Sequence, residues 1–227
     1  MQVSKRIYSI CDQLKGFKLA DIGTDHCFLP IFAIKSGKVK YAVGVDINQG
    51  PLKSAAVNVA AEGLSDKIEL RLGSGFLPIS PGECDTAVIS GMGGMLISNI
   101  LEKGPDRALS LDRLILSPQS EPTLVRRTLH RLGFTIINEN MIKDGARFYT
   151  IIVARPGEDQ AYDKFDYDFG KLMLENPTDD FYDFLEELRG KNENIISANT
   201  LTDTRKAEIL EVNEFIAEFR ACRISRL

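Results

Sequence analysis

The sequence predicts an α/β protein: a doubly wound, mostly parallel sheet of seven strands, closed by an antiparallel hairpin and followed by a small C-terminal α-helical appendage. Three observations predict it. Short β-branched apolar runs without polar alternation recur through the first two thirds of the chain, as in strands buried on both faces. Amphipathic stretches separate them at the spacing of right-handed βαβ crossovers. The last two apolar runs are joined around Gly145-Ala146, too close for a helical crossover, so that pair is antiparallel.

In chain order, a leading helix is expected over residues 2–15. The strands are FKLADIG (17–23), YAVGVDI (41–47), IELRLG (68–73), TAVISG (86–91) and RLILSP (113–118), then IINENMIKD (136–144) and RFYTIIVARP (147–156). Helices are expected at about 27–36, 51–63, 94–103 and 121–132. In the second of these Ala55, Ala56, Val59 and Ala60 form an apolar stripe, and Gly63 ends it. These elements make one domain, residues 1–156. Residues 157–227 read as a separate appendage that begins with an acidic, aromatic segment. Helix restarts after Asn176-Pro177-Thr178, with Asp179 and Asp180 near the positive end of its dipole. Phe181, Leu185, Leu188 and Ile195 recur at coiled-coil spacing, interrupted by Asn192. Asp203 reads as the N-cap of a last helix carrying Ile209, Val212, Ile216 and Phe219. Two helices with one apolar seam each predict an antiparallel, coiled-coil-like hairpin.

Composition bounds the function. With 227 residues, 44% hydrophobic and 26% charged, the chain has the make-up of an ordinary globular protein. No stretch approaches the roughly 18 apolar residues of a membrane span, and Lys5, Arg6, Asp12 and Gln13 break up the opening residues where a secretory signal would be apolar. The four cysteines are scattered and the histidines are two, His26 and His130, which argues against a disulfide scaffold and a structural zinc site. A cytoplasmic protein without a metal or a membrane partner is expected. The net charge of −4 argues against indiscriminate coating of nucleic acid. Residues 1–156 nevertheless hold 19 Lys+Arg against 15 Asp+Glu, and residues 157–227 hold 9 against 17. A mildly basic body of this kind leaves room for an RNA on one face.

The chemistry gathers in the loops after the strands. The first strand ends in Asp21-Ile22-Gly23-Thr24-Asp25-His26, an acid followed by a small-residue turn that lets backbone approach a ligand. The second ends in Asp46-Ile47, where a carboxylate can accept both hydroxyls of a ribose. Gly73-Ser74-Gly75 follows the third strand and suits the edge of an adenine. Ser90-Gly91-Met92-Gly93-Gly94 follows the fourth, beside the topological switch where ligands of such sheets bind. Ser117-Pro118-Gln119 follows the fifth, and the Gln119 amide can bond a base edge.

The stretches ADIGTDHCFLP (20–30), VDINQGPLKSAAVNV (45–59), RLGSGF (71–76) and ISGMGGMLISNIL (89–101) resemble the bacterial tRNA (adenine(22)-N1)-methyltransferase family. The motif match covers about residues 1–156, and the tail matches in architecture. The resemblance implies a class I methyltransferase domain that uses S-adenosyl-L-methionine (SAM), with tRNA as partner and methyl transfer to adenine N1 as the reaction. Carried over by position, Asp21, Gly23, Thr24, Asp25 and His26 line the cofactor loop, and Asp46 with Ile47 holds the ribose. Gly73, Ser74 and Gly75 lie near the adenine, and Gly91, Met92 and Gly93 near the methyl donor. Cys27 stands where the general methyltransferase glycine pattern has its third glycine. Ser74 and Ser117-Pro118-Gln119 also depart from the family, which often has an acid and Gln-Pro-Asn there. For substrate, His26, Pro118 and Gln119 are expected to meet the base, and Lys5, Arg6, Arg126, Arg127 and Arg131 to meet phosphates. No catalytic base is assigned. Two readings stay open beside this one: a SAM-dependent methyltransferase of another RNA base or small molecule, and a non-catalytic SAM-binding protein whose helical hairpin recruits a partner.

Overall fold

The computed structural model of the protein describes residues 3–198 and 201–224, the last two of them by backbone alone. It contains a seven-stranded sheet in the order β3-β2-β1-β4-β5-β7-β6. The strands are β1 (Lys18–Ile22), β2 (Tyr41–Asp46), β3 (Ile68–Leu72), β4 (Thr86–Ser90), β5 (Arg113–Ser117), β6 (Phe134–Asp144) and β7 (Arg147–Pro156). β1 to β5 are mutually parallel, while β7 runs antiparallel to both β5 and β6. Each expected strand is present, displaced by no more than two residues at either end.

The leading helix α1 (Lys5–Asp12) and the crossovers α2 (Phe28–Lys35), α3 (Gln49–Ala61), α4 (Gly94–Lys103), α5 (Pro105–Leu109) and α6 (Pro122–Arg131) cover the two faces. Side chains alternate across a strand, so the sheet feeds two cores. Ala20, Ile22, Val43, Val45, Ala87, Ile89, Leu114 and Leu116 meet Ile97 and Leu101 of α4 and Val125 and Leu129 of α6. On the other face Leu19, Ala42, Val88 and Ile115 meet Ile10 of α1, Leu29 and Ile31 of α2, and Ala55 and Val59 of α3. The apolar stripe of α3 is narrower than the sequence suggests, since Ala56 and Ala60 are exposed. The leading helix is shorter than 2–15. Ser4 caps it by accepting from the Ile7 N–H, and residue 2 lies outside the described residues.

The chain divides into two compact units, Met1–Asn176 and Pro177–Leu227. This corrects the boundary at 156. A π-helical turn (Asp166–Gly170) and the short helix α7 (Lys171–Glu175) belong to the first unit, packed on α6 and β6. The cause is a buried ion pair. Arg126 Nε donates to Glu139 Oε1 at 2.6 Å, and Arg126 Nη1 donates to the carbonyls of Tyr167 (2.7 Å) and Asp168 (3.2 Å). Gly170, at φ +92°, passes so close that a Cβ there would sit 2.8 Å from both Arg126 Nη2 and Glu139 Oε2. Beside this pair His130 lies between Tyr167 Oη (3.0 Å) and Asp159 Oδ2 (3.1 Å).

The second unit holds α8 (Asp179–Ser197) and α9 (Asp203–Ile224). Thr178 caps α8 by accepting from the Phe181 N–H at 3.3 Å. Thr202, rather than Asp203, caps α9, because its hydroxyl accepts from the Arg205 N–H. The two helices pack against each other; Phe181 and Leu185 of α8 and Ile209 and Ile216 of α9 are buried, while Ile195 is exposed. The polar interruption at Asn192 is satisfied across the seam, with its amide donating to Asn213 Oδ1 at 2.9 Å. No described helix is long and apolar enough to cross a membrane.

Candidate functional site

At the carboxyl ends of β1 and β4 the strand order reverses, and the loops there leave in opposite directions. The gap is a cleft of about 370 Å³ lined by Asp21, Gly23, Asp25, His26, Cys27 and Phe28 from the first loop. Asp46, Ser90, Gly91, Met92 and Gln119 come from the later ones, and Arg6 with Ile7 from α1.

Backbone bonds hold the loops. The N–H groups of Gly23 and Thr24 both donate to Val45 O (2.7 and 2.9 Å), folding the first loop over β2. Gly91 N–H donates to Ser117 O, Gln119 N–H to Met92 O at 2.8 Å, and Gly94 N–H to Ser120 O. Gln119 is thereby fixed beside the glycine loop, with its side chain exposed. Gly23 stands at φ +81°, and a Cβ there would collide with Met92 Cε. Only glycine serves at that point without strain.

The charges are mainly acidic. Asp21 is 6% exposed. Burial lifts its pKa from 3.8 to about 6; the neighbouring Thr24 hydroxyl pulls it down in part, and Asp46 adds to the rise. That hydroxyl is itself buried and completes no hydrogen bond of good geometry. Asp46 is half buried and lines the cleft; its Oδ1 accepts from the Asn48 N–H at 2.8 Å, and no described residue hydrogen-bonds to Oδ2. His26 stacks on Phe28 with ring centroids 5.3 Å apart, and its Nε2 lies 3.5 Å from Asp25 Oδ2. The Asn58 amide of α3 anchors this turn by donating to His26 O at 2.9 Å. Cys27 takes the left-handed conformation at φ +59° and is buried at the start of α2. Burial also pushes its thiol up to about 12, so it stays protonated.

Asp21, Gly23, Asp25, His26, Asp46, Gly91, Met92 and Gln119 therefore share one cleft. Thr24 is buried behind it, Ile47 is exposed beside Asp46, and Gly93 caps α4. Gly73 is tied to β2 through its N–H on Asp46 O. Ser74 and Gly75 instead line a separate small hollow with Phe76 and Ile100. Pro118 is buried, so of the Pro-Gln pair Gln119 alone faces outward.

Among the basic residues the correction is larger. Arg126 is 1% exposed and bound to Glu139, so it does not reach a phosphate. Arg127 is exposed with its guanidinium 4.1 Å from the Tyr167 ring centre, and Arg131 is exposed and paired with Glu102. Lys5 is exposed on α1. Arg6, expected on an RNA face, lines the cleft. Among the described residues no group of three or more His, Cys, Asp or Glu is placed to hold a metal ion.

Known proteins share this architecture. A family profile described as a methyltransferase domain matches residues 3–152. The tRNA (adenine(22)-N(1))-methyltransferase of Bacillus subtilis is 35% identical over 175 residues, 76% of this chain and 74% of that one. The crystal structure of the B. subtilis m1A22 tRNA methyltransferase superposes with a TM-score of 0.82 at 28% identity, covering 97% of this chain and 98% of that one. A Streptococcus pneumoniae protein in complex with S-adenosyl-L-methionine superposes with a TM-score of 0.87 at 29% identity, covering 96% and 99%. Fold, cleft and identity agree, and the chain belongs to the tRNA (adenine(22)-N1)-methyltransferase family.

Proposed function

We propose that this protein transfers the methyl group of SAM to N1 of an adenine in tRNA. The observation that carries the reading is the convergence of Asp21, Gly23, Asp46, Gly91 and Gln119 on one switch-point cleft in a chain of this family.

The residues fit the cofactor. Asp46 keeps one carboxylate oxygen for a ribose diol. Asp21 and Asp25 supply negative charge for a ligand that carries a sulfonium and an ammonium. The missing Cβ atoms at Gly23 and Gly91 leave a wall of backbone against which such a ligand can lie. When bound, SAM supplies an electrophilic methyl group.

Adenine N1 carries a lone pair in its neutral form, so its attack on that methyl needs no deprotonation, and positive charge simply passes from donor to base. A cleft with aspartates and no lysine suits this chemistry. What the chain must do is orient the base and exclude water. Good positioning of this kind is worth up to about 7–11 kcal/mol. N1 is a Watson–Crick atom, so the base enters unpaired or flipped out. We assign the base edge to Gln119, the rim to His26 on Phe28, and phosphate contact to Lys5, Arg127 and Arg131. We infer that the protein acts in the cytoplasm.

Incubation with labelled SAM and tRNA, followed by nucleoside mass spectrometry, tests the reading. Label in 1-methyladenosine is expected, and label in another nucleoside, or none in RNA, overturns it. For the cofactor, Asp46→Ala is expected to weaken binding of S-adenosylhomocysteine by about 1.5–3 kcal/mol with the fold intact. Unchanged affinity in calorimetry removes Asp46 from the site.

A further inference from the structure

The leading helix puts a cation into an acidic cleft. Arg6 of α1 lines it together with Asp21, Asp25 and Asp46, and among the described residues it is the one guanidinium or ammonium group to do so. Two contacts set its place. The Arg6 backbone N–H donates to Asp144 Oδ2 at 3.1 Å, which pins the first turn of α1 to the end of β6. The guanidinium carbon lies 4.9 Å from the centre of the Tyr149 ring on β7. The guanidinium forms no ion pair with any described residue, although three aspartates line the same cleft.

We propose that Arg6 is the clamp for the carboxylate at the amino-acid end of the cofactor, an inference that rests on the SAM reading above. That end carries an ammonium and a carboxylate on one carbon. The aspartates attract the first and repel the second, so an acidic cleft holds the whole zwitterion only if a cation answers the carboxylate. A guanidinium answers it best, because its planar fork gives two parallel charge-assisted hydrogen bonds. Stacking on Tyr149 orders the fork before the ligand arrives, which lowers the entropic cost of binding. An RNA phosphate would fit the same fork. The half-buried position of Arg6 inside the cleft favours the small carboxylate.

The test uses two ligands that differ by the carboxylate alone: S-adenosylhomocysteine and its decarboxylated analogue, which keeps the ammonium. Calorimetry on the full chain is expected to show the first binding more tightly to the wild type. Arg6→Gln should weaken S-adenosylhomocysteine about 10–100-fold, as loss of charged hydrogen bonds does. The analogue should change by no more than about twofold, so the discrimination collapses. Arg6→Lys, which keeps the charge and loses the fork, should recover part of it and serves if the glutamine variant does not fold. Equal weakening of both ligands makes Arg6 a structural residue and overturns the proposal. Unchanged S-adenosylhomocysteine affinity with weakened tRNA binding also overturns it, in favour of a phosphate contact. A wild type that binds neither ligand overturns the cofactor reading itself, a result distinct from failure of the clamp.

Discussion

Replacing Asp21 by Asn should make the ligand-free protein more stable at neutral pH and a poorer host for a cationic ligand. The magnitude follows from burial. The carboxyl group is 6% exposed, and its pKa rises from 3.8 to about 6 chiefly through loss of solvent, with Thr24 opposing and Asp46 adding. Below pH 3.8 the group is protonated folded or unfolded and costs nothing. Between 3.8 and about 6 the unfolded chain ionises first, so stability falls as pH rises. Above about 6 the full penalty holds, about 3 kcal/mol for a rise of this size. Asn is nearly isosteric and never charges, so its advantage over the wild type should grow from nothing near pH 4 to about 2–3 kcal/mol at pH 7.5. For a chain of this length that is about 5–10 °C in Tm. The assay is paired denaturation of both proteins across pH 4–8, with cofactor binding measured alongside. A stability difference that does not change with pH would refute the argument, since it would mean that Asp21 is not charged at a cost in the folded state.

Two further outcomes follow from the Arg126 pair. Arg126→Met should cost about 3–5 kcal/mol in denaturant unfolding, because it leaves Glu139 buried without its cation. Glu139→Gln in that background should restore part of the loss, and a wild-type midpoint with weakened tRNA binding would return Arg126 to the RNA. A chain ending at Asn176 should keep its affinity for S-adenosylhomocysteine within a few fold, whereas one ending at Pro156 should be destabilised through loss of the Tyr167 and Asp168 carbonyls that Arg126 binds. Equal stability of the two truncations, read by thermal unfolding, would sink that account.

The central strands β1, β2, β4 and β5 were legible because each is buried on both faces, which writes a nearly unbroken apolar run into the chain. The acid and glycine positions of the cleft were legible because they stand at strand ends, where topology alone predicts a ligand. Arg126 was misread because an arginine among arginines reads as surface. A helical projection of α6 separates them: Arg127 and Arg131 lie four apart on the face away from Val125 and Leu129, while Arg126 borders the buried arc. The partner that decides its fate, Glu139, sits on β6 inside the polar run Asn138-Glu139-Asn140 and carries no local mark. The boundary at 156 was misplaced for the same reason. An acidic, aromatic segment looks independent until the buried cation it covers is known.

The cleft is assembled from two pairs of loops, and this brings residues distant in the chain to face one gap. Hydrogen bonds tie the β1 loop to β2 through Val45 O, and the β4 loop to the β5 loop through Ser117 O, Met92 O and Ser120 O. Between the pairs the contact is side chain on backbone, Met92 lying against Gly23 where any Cβ would intrude. Each pair is hydrogen-bonded within itself, and the switch in strand order pulls the two apart. Asp21, Asp25 and Asp46 belong to one pair and Gln119 to the other. A molecule lying in the gap therefore meets the acids from one side and the amide from the other. That separation suits a transfer reaction, in which donor and acceptor must be held independently and brought into line.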